Sequence, residues 1–483
     1  MHTHAHPDHR QGRRSWLWSV GGGIGGVALA RLLCRDGMLG ADDSSRSELP
    51  HHAPRARSVI QLFCAGAKSQ IDTFDHKPEL ERLQGKPFDA SGKLRFFASR
   101  PGKFQASYWK FRRHGECGRP VSDLLPHLAT KVDEMAFVHS MVSRSAVHGP
   151  AMFLAGSGFS RPGFPTMGSW VAYGLGSEAD DLPAFVVLPD SRGVPPSGPA
   201  NWGAGFLPAV YQGTTFSAAT GRAAIADLFP PEDPALTPAS EAAARSFLAK
   251  INRRHAAVRP GDTELEARIT SYELAAKLQL SAPEVTELSG ESRATKALYG
   301  IDEKLTDDFG RRCLLARRLV ERGVRFVQVW CGADNTSPPR ANWDAHEDVR
   351  RNHGLHGKIF DRPAAALLED LRARGLLDQT LVIATSEFGR MPAAEQGKGR
   401  DHNPHAFTTW MAGGGIRGGV SHGASDEFSF KVAESPSSIH DIHATALHLL
   451  GLDHERLTFY HNGVERRLTD VHGHVLAKLL VGP

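Results

Sequence analysis

The chain has 483 residues, with 57 lysines and arginines against 53 aspartates and glutamates, and its formal net charge is +4. Hydrophobic residues make up 41% and charged residues 23%, which is an ordinary globular composition. A chain of this length can bury a large core, as one α/β domain with insertions or as two or three domains. The small net charge, without a basic stripe interleaved with aromatic residues, argues against a nucleic acid partner. No long apolar run follows residue 34, so we expect no transmembrane helix in the mature protein.

The N-terminal segment, residues 1–34, has the order of an export signal. Arg13 and Arg14 precede the short glycine-rich apolar stretch "SWLWSVGGGIGGVALARLL". This order predicts a twin-arginine signal, and therefore an exported protein that works in the periplasm or outside the cell. The alternative is a frayed basic terminus. The polar residues 35–57 predict a linker, so the folded domain is expected to span 58–483.

The first two thirds of the chain contain two apolar runs and one helical region. "SVIQLFCAG" (58–66) and "LPAFVVLP" (182–189) predict short buried strands. From about 236 to 300, apolar residues recur at spacings of three and four, which predicts helices. We interpret this region as a helical insertion in the domain.

The last third of the chain alternates helix and strand. A helix predicted over 309–323 ends at a glycine and is followed at once by the strand 324–330. A second helix, predicted over 361–374 with Pro363 in its first turn, precedes the strand that opens "TLVIATSEFGRMP" (380–392). Successive helix-to-strand units predict an α/β fold with a mainly parallel sheet covered on both faces.

Histidines and carboxylates cluster in this last third. About half of the 25 histidines lie after residue 340. Three segments combine them with aspartate: Asp344 with His346, Asp401 with His402 and His405, and Asp441 with His440 and His443. Imidazole nitrogens and carboxylate oxygens are the ligands that zinc and manganese prefer. Because ligands bind at the carboxyl ends of strands in open α/β sheets, these segments predict a metal site at one sheet edge.

Glu387 lies where an apolar strand is predicted to end. A carboxylate at that position costs several kcal/mol if it is buried alone, but little if a cation meets it. We therefore predict that Glu387 is a metal ligand. The alternative is that Glu387 forms an ion pair with Arg390.

Several of these segments resemble known families. "GLLDQTLVIATSEFGRMP" and "SIHDIHATALHLLGLD" are similar to metal-motif segments of the alkaline phosphatase-like and sulfatase superfamily. More closely, "VIQLFCAGAKSQIDTFDHKPEL", "GFPTMGSWVAYGLGSE", "NWGAGFLPAVYQGTTF" and "GRDHNPHAF" resemble the exported family labelled domain of unknown function 1501. That resemblance extends over nearly the whole chain from about residue 52. It implies an alkaline phosphatase-like α/β/α sandwich with a mainly parallel sheet.

The resemblance also implies a set of metal ligands. It adds an early carboxylate, Asp72 or Asp75, to the ligands Asp344, His346, Glu387 and His402. Phe388 stands where the superfamily carries a metal-binding histidine, so one of two metal positions is expected to be lost or to be rebuilt. The histidines available for rebuilding are His405, His440 and His443. The sulfatase signature, cysteine or serine followed by x-Pro-x-Arg, is absent, and this disfavours a formylglycine mechanism.

A nucleophile is implied near residue 145. His148 falls where phosphodiesterase relatives carry Asn-His just after a nucleophilic threonine, so Ser145 or Ser143 is the candidate. Ser169 is a second choice, with a helix N-cap as its alternative role. Arg144 or Lys68 is expected to offset charge on the transferring group.

These predictions combine into an exported, metal-dependent hydrolase of phosphate or sulfate esters. Its expected cofactor is a divalent metal, zinc or manganese, with calcium as a further option, and its expected substrate is a small-molecule or polysaccharide ester. The alternative is a catalytically degenerate exported binding or cell-surface module that retains the fold. A third interpretation, an enzyme related to phosphoglycerate mutase, conflicts with the export signal.

Overall fold

The computed structural model describes residues 49–89, 102–219, 225, 237–259, 262–334 and 340–482. The predicted export signal and most of the predicted linker lie outside these residues. None of the helices within the described ranges is long and apolar enough to cross a membrane.

One large sheet forms the centre of the described structure. In chain order the strands are β1 (Ser58–Phe63), β2 (Phe111–His114), β3 (Arg119–Ser122), β4 (Met135–Met141), β5 (Phe185–Leu188), β6 (Thr214–Thr215), β7 (Phe326–Trp330), β8 (Thr380–Thr385), β9 (Gly389–Glu395), β10 (Gly399–Asn403), β11 (Phe407–Ala412), β12 (Ser421–His422), β13 (Ala424–Ser425), β14 (Val432–Glu434), β15 (Phe459–His461) and β16 (Val464–Arg466). Eight of them form the order β12-β4-β11-β8-β1-β7-β5-β6. Within this sheet β11 runs antiparallel to β4 and β8, and the other pairs are parallel.

Helices cover both faces of this sheet. In chain order they are α1 (Pro78–Leu83), α2 (His148–Ser157), α3 (Met167–Leu175), α4 (Pro238–Ala257), α5 (Thr263–Thr286), α6 (Arg293–Leu298), α7 (Asp307–Glu321), α8 (Val349–Ala373) and α9 (Ile439–Leu449). Buried residues of α5, α7 and α8 share one apolar core with one face of the sheet, and those of α2, α3 and α9 share a second core with the other face.

Strand β1 is buried at all six positions, and four of them are apolar. Ile60 and Leu62 belong to the first core, and Val59 and Phe63 belong to the second. Successive side chains of a strand point to opposite faces, so a strand buried on both faces is apolar at most positions. Its two buried polar side chains are hydrogen-bonded: the Ser58 hydroxyl donates to the Val324 carbonyl at 2.9 Å, and Gln61 accepts from Gln328 Nε2 at 2.9 Å. The predicted fold class, an α/β fold with a mainly parallel sheet between helical layers, is confirmed.

The predicted strands are present at β1, β5, β7 and β8, but the start of one predicted helix is wrong. Helix α8 begins at Val349, twelve residues before the predicted start at 361, because the Asp348 side chain caps it by accepting from the Arg351 amide at 2.9 Å. Pro363 therefore lies inside the helix. Asp361 instead accepts the His127 and Leu128 amides, both at 2.8 Å, and caps the 3-10 helix at Leu128–Glu134.

Candidate metal centre

The carboxyl ends of four parallel strands meet at one edge of the sheet. The chain after β1 places Gly66 there, and the loop after β4 leads to His148 at the first position of α2. The segment between β7 and α8 carries Asp344 and His346, and Glu387 follows β8 by two residues. These side chains converge at this edge of the sheet, where the sequence predicted a polar cluster.

A buried hairpin that the sequence did not predict completes the cluster. Strands β9 and β10 pair antiparallel, with His402 opposite Arg390 and Gly399 opposite Glu395. A turn joins them, with Gln396 at φ 49° and Gly397 at φ 85°. Two successive positive φ values are typical of a tight hairpin turn, so the Gln-Gly pair is the signal that could have predicted it.

Three imidazole rings point their Nε2 atoms at a single carboxylate oxygen. The Oδ1 atom of Asp344 lies 3.0 Å from His346 Nε2, 3.3 Å from His402 Nε2 and 3.4 Å from His148 Nε2. The Nε2 atoms of His346 and His402 are 2.9 Å apart. The Nε2 atom of His148 is buried without a hydrogen bond of acceptable geometry in the described structure.

The other nitrogen of each ring is held by an acceptor. His148 Nδ1 lies 2.6 Å from Glu387 Oε1, His346 Nδ1 lies 2.6 Å from Glu395 Oε2, and His402 Nδ1 lies 2.6 Å from the Ala146 carbonyl oxygen. A carbonyl only accepts, so His402 carries its proton on Nδ1 and presents a lone pair at Nε2 when neutral. Histidine ligands of metals are oriented in this way, by a carboxylate or carbonyl at the second nitrogen. The donor set fits a divalent metal ion.

Two arginines flank the central carboxylate. Arg390 donates through Nη2 to Asp344 Oδ1 at 2.5 Å, and Arg340 pairs with Asp344 Oδ2. Burial by itself would raise the pKa of Asp344, but the Arg390 guanidinium and then the three histidines hold it far below its ordinary value. Arg390 also donates to the Gly66 carbonyl at 2.6 Å and to the Ala67 carbonyl at 2.9 Å, so it fixes the chain after β1 to the cluster.

The pKa values of the three histidines are shifted in different directions. Burial lowers the pKa of His402 to about 3, so this ring is neutral at neutral pH. Burial also opposes protonation of His346, but hydrogen bonds to Asp344 and Glu395 outweigh it and raise its pKa to about 9. In His148, the neighbouring carboxylates of Asp344 and Glu387 likewise outweigh burial and raise the pKa.

A second group of possible metal ligands lies on the far side of His346. His346, Glu395 and Asp401 each have a ligand atom within 4.8 Å of the others. This group shares His346 with the convergence on Asp344, and the Nδ1 atom of His346 is already 2.6 Å from Glu395. His148, Asp344 and His402 also have ligand atoms within 4.8 Å of one another. We assign the metal-ligand geometry to this group around Asp344, and an orienting role to Glu395, because the Nδ1 atom of His346 already faces Glu395.

Glycine is required where the chain after β1 approaches the cluster. Gly66 has φ 98°, and a Cβ atom there would lie 2.6 Å from the backbone nitrogens of Trp343 and Asp344. Its amide donates to Glu387 Oε1 at 2.8 Å. Glu387 is therefore held by Gly66 and His148, and the alternative ion pair with Arg390 is not formed.

Phe388 packs in the centre of the cluster. Its ring centroid lies 4.9 Å from that of His148 and 4.7 Å from that of His402. Phe388, which stands where the superfamily resemblance places a metal-binding histidine, is thus an apolar contact of two of the three converging histidines.

Both early carboxylates are engaged away from the three histidines. Asp72 accepts from Arg400 Nε at 2.8 Å and from the Ser69 hydroxyl at 2.6 Å. Asp75 pairs with Lys77 at 3.1 Å and accepts from the hydroxyls of Ser425 and Ser429. The structure brings neither aspartate into contact with the converging Nε2 atoms.

The three histidines considered for rebuilding a metal position also lie elsewhere. His405 is exposed beside Phe430. His440 Nε2 donates to the Gly158 carbonyl at 2.9 Å, and His443 Nε2 donates to the Ala155 carbonyl at 3.0 Å. Both rings thus fasten α9 to the C-terminal end of α2.

The candidate nucleophile is adjacent to the cluster in sequence. The Ser145 hydroxyl donates to the Val147 carbonyl at 3.3 Å and accepts from the Val147 amide at 3.1 Å, and neither bond involves a converging histidine. The next residue, Ala146, accepts from His402. Arg144 is exposed and contacts His472 at 3.0 Å. Ser169 is buried in α3, where its hydroxyl bonds to the Gly203 carbonyl at 3.1 Å.

Sequence reasoning missed three side chains that shape the cluster. Glu395 orients His346, Arg340 pairs with the outer oxygen of Asp344, and Arg390 pairs with the inner one. Arg390 had been considered only as a partner for Glu387. The position of Glu395 on a hairpin strand gave no signal of its contact with a residue 49 positions away.

The sequence of this domain matches one family profile almost from end to end. The family described as "Protein of unknown function (DUF1501)" matches residues 56–480. The chain belongs to the DUF1501 family. None of the curated proteins matches this DUF1501 sequence.

Solved structures similar to this DUF1501 protein include ester hydrolases. A phosphonate monoester hydrolase from Silicibacter pomeroyi is 12% identical, with 74% of this chain and 71% of that chain covered and a TM-score of 0.35. A sulfatase from Pseudoalteromonas sp. is 13% identical, with 88% and 76% covered and a TM-score of 0.33. A variant alkaline phosphatase with Mg bound is 10% identical, with 74% and 92% covered and a TM-score of 0.31.

Proposed function

We propose that this DUF1501 protein is an exported, metal-dependent hydrolase of phosphate or sulfate esters. The observation that carries the proposal is the convergence of three histidine Nε2 atoms on Asp344 at the carboxyl edge of the sheet. In open α/β sheets this edge is where ligands bind. The substrate class is a small-molecule or polysaccharide ester.

The proposed metal ligands are His148, His346, His402 and Asp344. Three imidazoles favour zinc or manganese over calcium, which takes oxygen ligands. When bound, such an ion polarises the ester and lowers the pKa of a hydroxyl nucleophile. The protein holds the three rings in place through Glu387, Glu395 and the Ala146 carbonyl.

The partly exposed and the fully buried side chains of the cluster have different roles. The Arg340 and His148 side chains are each 19% exposed, so they can be reached by an anionic ester from solvent. Arg390 and Glu387 are fully enclosed and position other groups. In the proposed mechanism Arg340 offsets negative charge on the transferring phosphoryl or sulfuryl group.

Ser145 is the proposed nucleophile because its loop contacts His402 through Ala146. Attack requires its hydroxyl to leave the two hydrogen bonds with Val147. Substitution of Ser145 with alanine is therefore expected to abolish turnover while metal content stays unchanged. If the variant retains full turnover, a water molecule is the nucleophile instead.

A second candidate function is a binding module that retains the fold and a single metal. The observation that favours it is the engagement of Asp72 with Arg400 and Ser69, which leaves the chain after β1 without a carboxylate directed at the histidines. This module would bind the same class of anionic ester without cleaving it.

The test compares two histidines that are three residues apart. We expect the wild-type protein, expressed with metal supplied, to contain one divalent ion per chain by elemental mass spectrometry. His402→Ala should lose that ion and all hydrolysis of nitrophenyl phosphate, phosphonate and sulfate esters. His405→Ala is the matched control, because this exposed ring lies outside the cluster, and it should retain both.

Each result has a defined meaning. A protein without stoichiometric metal, or a His402→Ala variant that keeps its ion, contradicts the metal site. A wild-type protein that holds the ion and binds phosphate or sulfate but cleaves none of the esters supports the binding module.

A further inference from the structure

Among the residues that the structure describes, helix α4 packs on the rest of the molecule through one face. Its half-buried side chains are Ala249, Asn252 and Ala256, which recur at spacings of three and four and therefore share a face. Arg245 lies on the same face and contacts Gln279 of α5 at 3.5 Å. The neighbouring α5 is anchored in the core through Leu278, Ala282 and Val285, so α4 is the outer helix of the pair.

The opposite face of α4 carries large apolar side chains that point to solvent. Phe247 is 65% exposed, Ile251 is 47% exposed, and Val258, the residue that caps the helix, is 70% exposed. Their spacings of four and seven place them on one side of the helix, with Leu248 beside them. Helices of water-soluble domains bury such a stripe, and here the small residues are inward and the large apolar residues outward.

Cationic side chains flank this apolar stripe. Lys250 and Arg254 lie on one side of it and Arg259 follows its end, all of them exposed. None of these three side chains forms an ion pair with a carboxylate of the residues that the structure describes. After position 241 the helix sequence contains no aspartate or glutamate.

We propose that α4 is a docking helix for the surface of an anionic lipid membrane. An apolar stripe bordered by lysine and arginine on an outer helix is the arrangement of helices that lie in the membrane interface, with the stripe among the acyl chains and the cations at the headgroups. Charge selects this occupant, because two copies of α4 packed together would bring their own cations into contact. The helix would hold the enzyme against a membrane without spanning it.

The test measures binding of the full-length protein to lipid vesicles by co-sedimentation. We expect binding to vesicles of phosphatidylglycerol and phosphatidylethanolamine, and little binding to pure phosphatidylcholine. Phe247→Ser combined with Ile251→Ser should weaken binding at least about tenfold, because each removes apolar surface from the interface. Lys250→Gln combined with Arg254→Gln should weaken binding to the anionic vesicles by about fivefold per charge, and added salt should reproduce this loss.

A matched control separates this effect from general surface hydrophobicity. Val471→Ser removes a side chain that is 76% exposed outside the helical pair, and it should bind like the wild type. Absence of wild-type binding to anionic vesicles at low salt overturns the proposal, as does unchanged binding by the Phe247 and Ile251 variant. If sedimentation instead shows a wild-type dimer that this variant dissociates, a second copy covers the stripe and the membrane proposal is wrong.

Discussion

At the scale of single residues, the orientation of each histidine explains the cluster better than its proximity to a carboxylate does. His148, His346 and His402 each have one nitrogen fixed by an acceptor at 2.6 Å, which leaves the other nitrogen directed at Asp344. His405 also follows an aspartate closely in sequence, but it is exposed and lies outside the convergence. The three converging rings share an acceptor 2.6 Å from Nδ1, whereas a neighbouring aspartate in the chain does not by itself predict convergence.

Glu395 provides a test of this orientation. Glu395→Gln keeps an acceptor near His346 Nδ1 but removes the negative charge that strengthens the imidazole as a ligand. We expect metal affinity to fall about tenfold or more, as is usual for the partners of metal-binding histidines. Competition with a fluorescent chelator measures the affinity. Glu465→Gln, at an exposed strand position, is the control, and equal affinities in the two variants would contradict the orienting role.

At the scale of elements, one carboxylate shows how a sequence signal can be assigned to the wrong partner. Asp361 precedes Pro363, which is typical of a helix start, yet both residues lie inside α8. The Asp361 carboxylate reaches across to two amides at the start of the 3-10 helix Leu128–Glu134. It therefore joins α8 to the segment that leads into β4, the strand before His148.

Removal of this contact should destabilise the protein. Asp361→Ala leaves the His127 and Leu128 amides without their acceptor, and an unsatisfied buried donor costs about 1–3 kcal/mol. We expect a loss of that size in the free energy of unfolding, measured with urea. Asp378→Ala, at an exposed position, should change it by less than about 0.5 kcal/mol. A negligible loss for Asp361→Ala would show that water satisfies these amides.

At the scale of the whole molecule, buried neutral histidines link stability to pH. Burial lowers the pKa of His139 to about 4, of His356 to about 4 and of His443 to about 3. The unfolded values are higher, about 6.5, so the unfolded chain binds protons first as the pH falls. Their contribution is complete above about pH 6.5 and is lost progressively as the pH falls toward these lower values.

His443→Gln tests this linkage without changing the cluster of converging histidines. Between pH 7.5 and pH 5, His443 alone is expected to account for a loss of about 2 kcal/mol in the free energy of unfolding. The glutamine variant can still donate to the Ala155 carbonyl, and it should lack that part of the loss. Urea unfolding at both pH values measures the difference. An identical pH dependence of the free energy of unfolding in wild type and variant would contradict this linkage. His405→Gln, at an exposed position, is the control.

The sequence by itself determined the fold class and most of the strand-end positions of the cluster. Apolar runs bounded by turns are local signals, and parallel strands direct their carboxyl ends to one edge, so Asp344, His346, Glu387 and His402 were predicted as ligands before any contact was known. The same prediction included Asp72, Asp75, His405, His440 and His443, which the structure places away from the three converging histidines. In the structure Glu387 Oε1 lies 2.6 Å from His148 Nδ1. The roles of the whole set remain predictions that the metal measurements test.

Only the tertiary structure decided which histidines meet. His148 and His402 lie in segments more than 250 residues apart, and their approach depends on a loop after β4 and on the β9–β10 hairpin. The same is true of Arg390, whose partner is Asp344 and not the nearer Glu387. Spacing along the chain specifies neighbours within an element, whereas contacts between loops depend on the packing of every element that supports them. For this reason the sequence predicted at which edge of the sheet the cluster lies, and only the tertiary structure showed which side chains come into contact there.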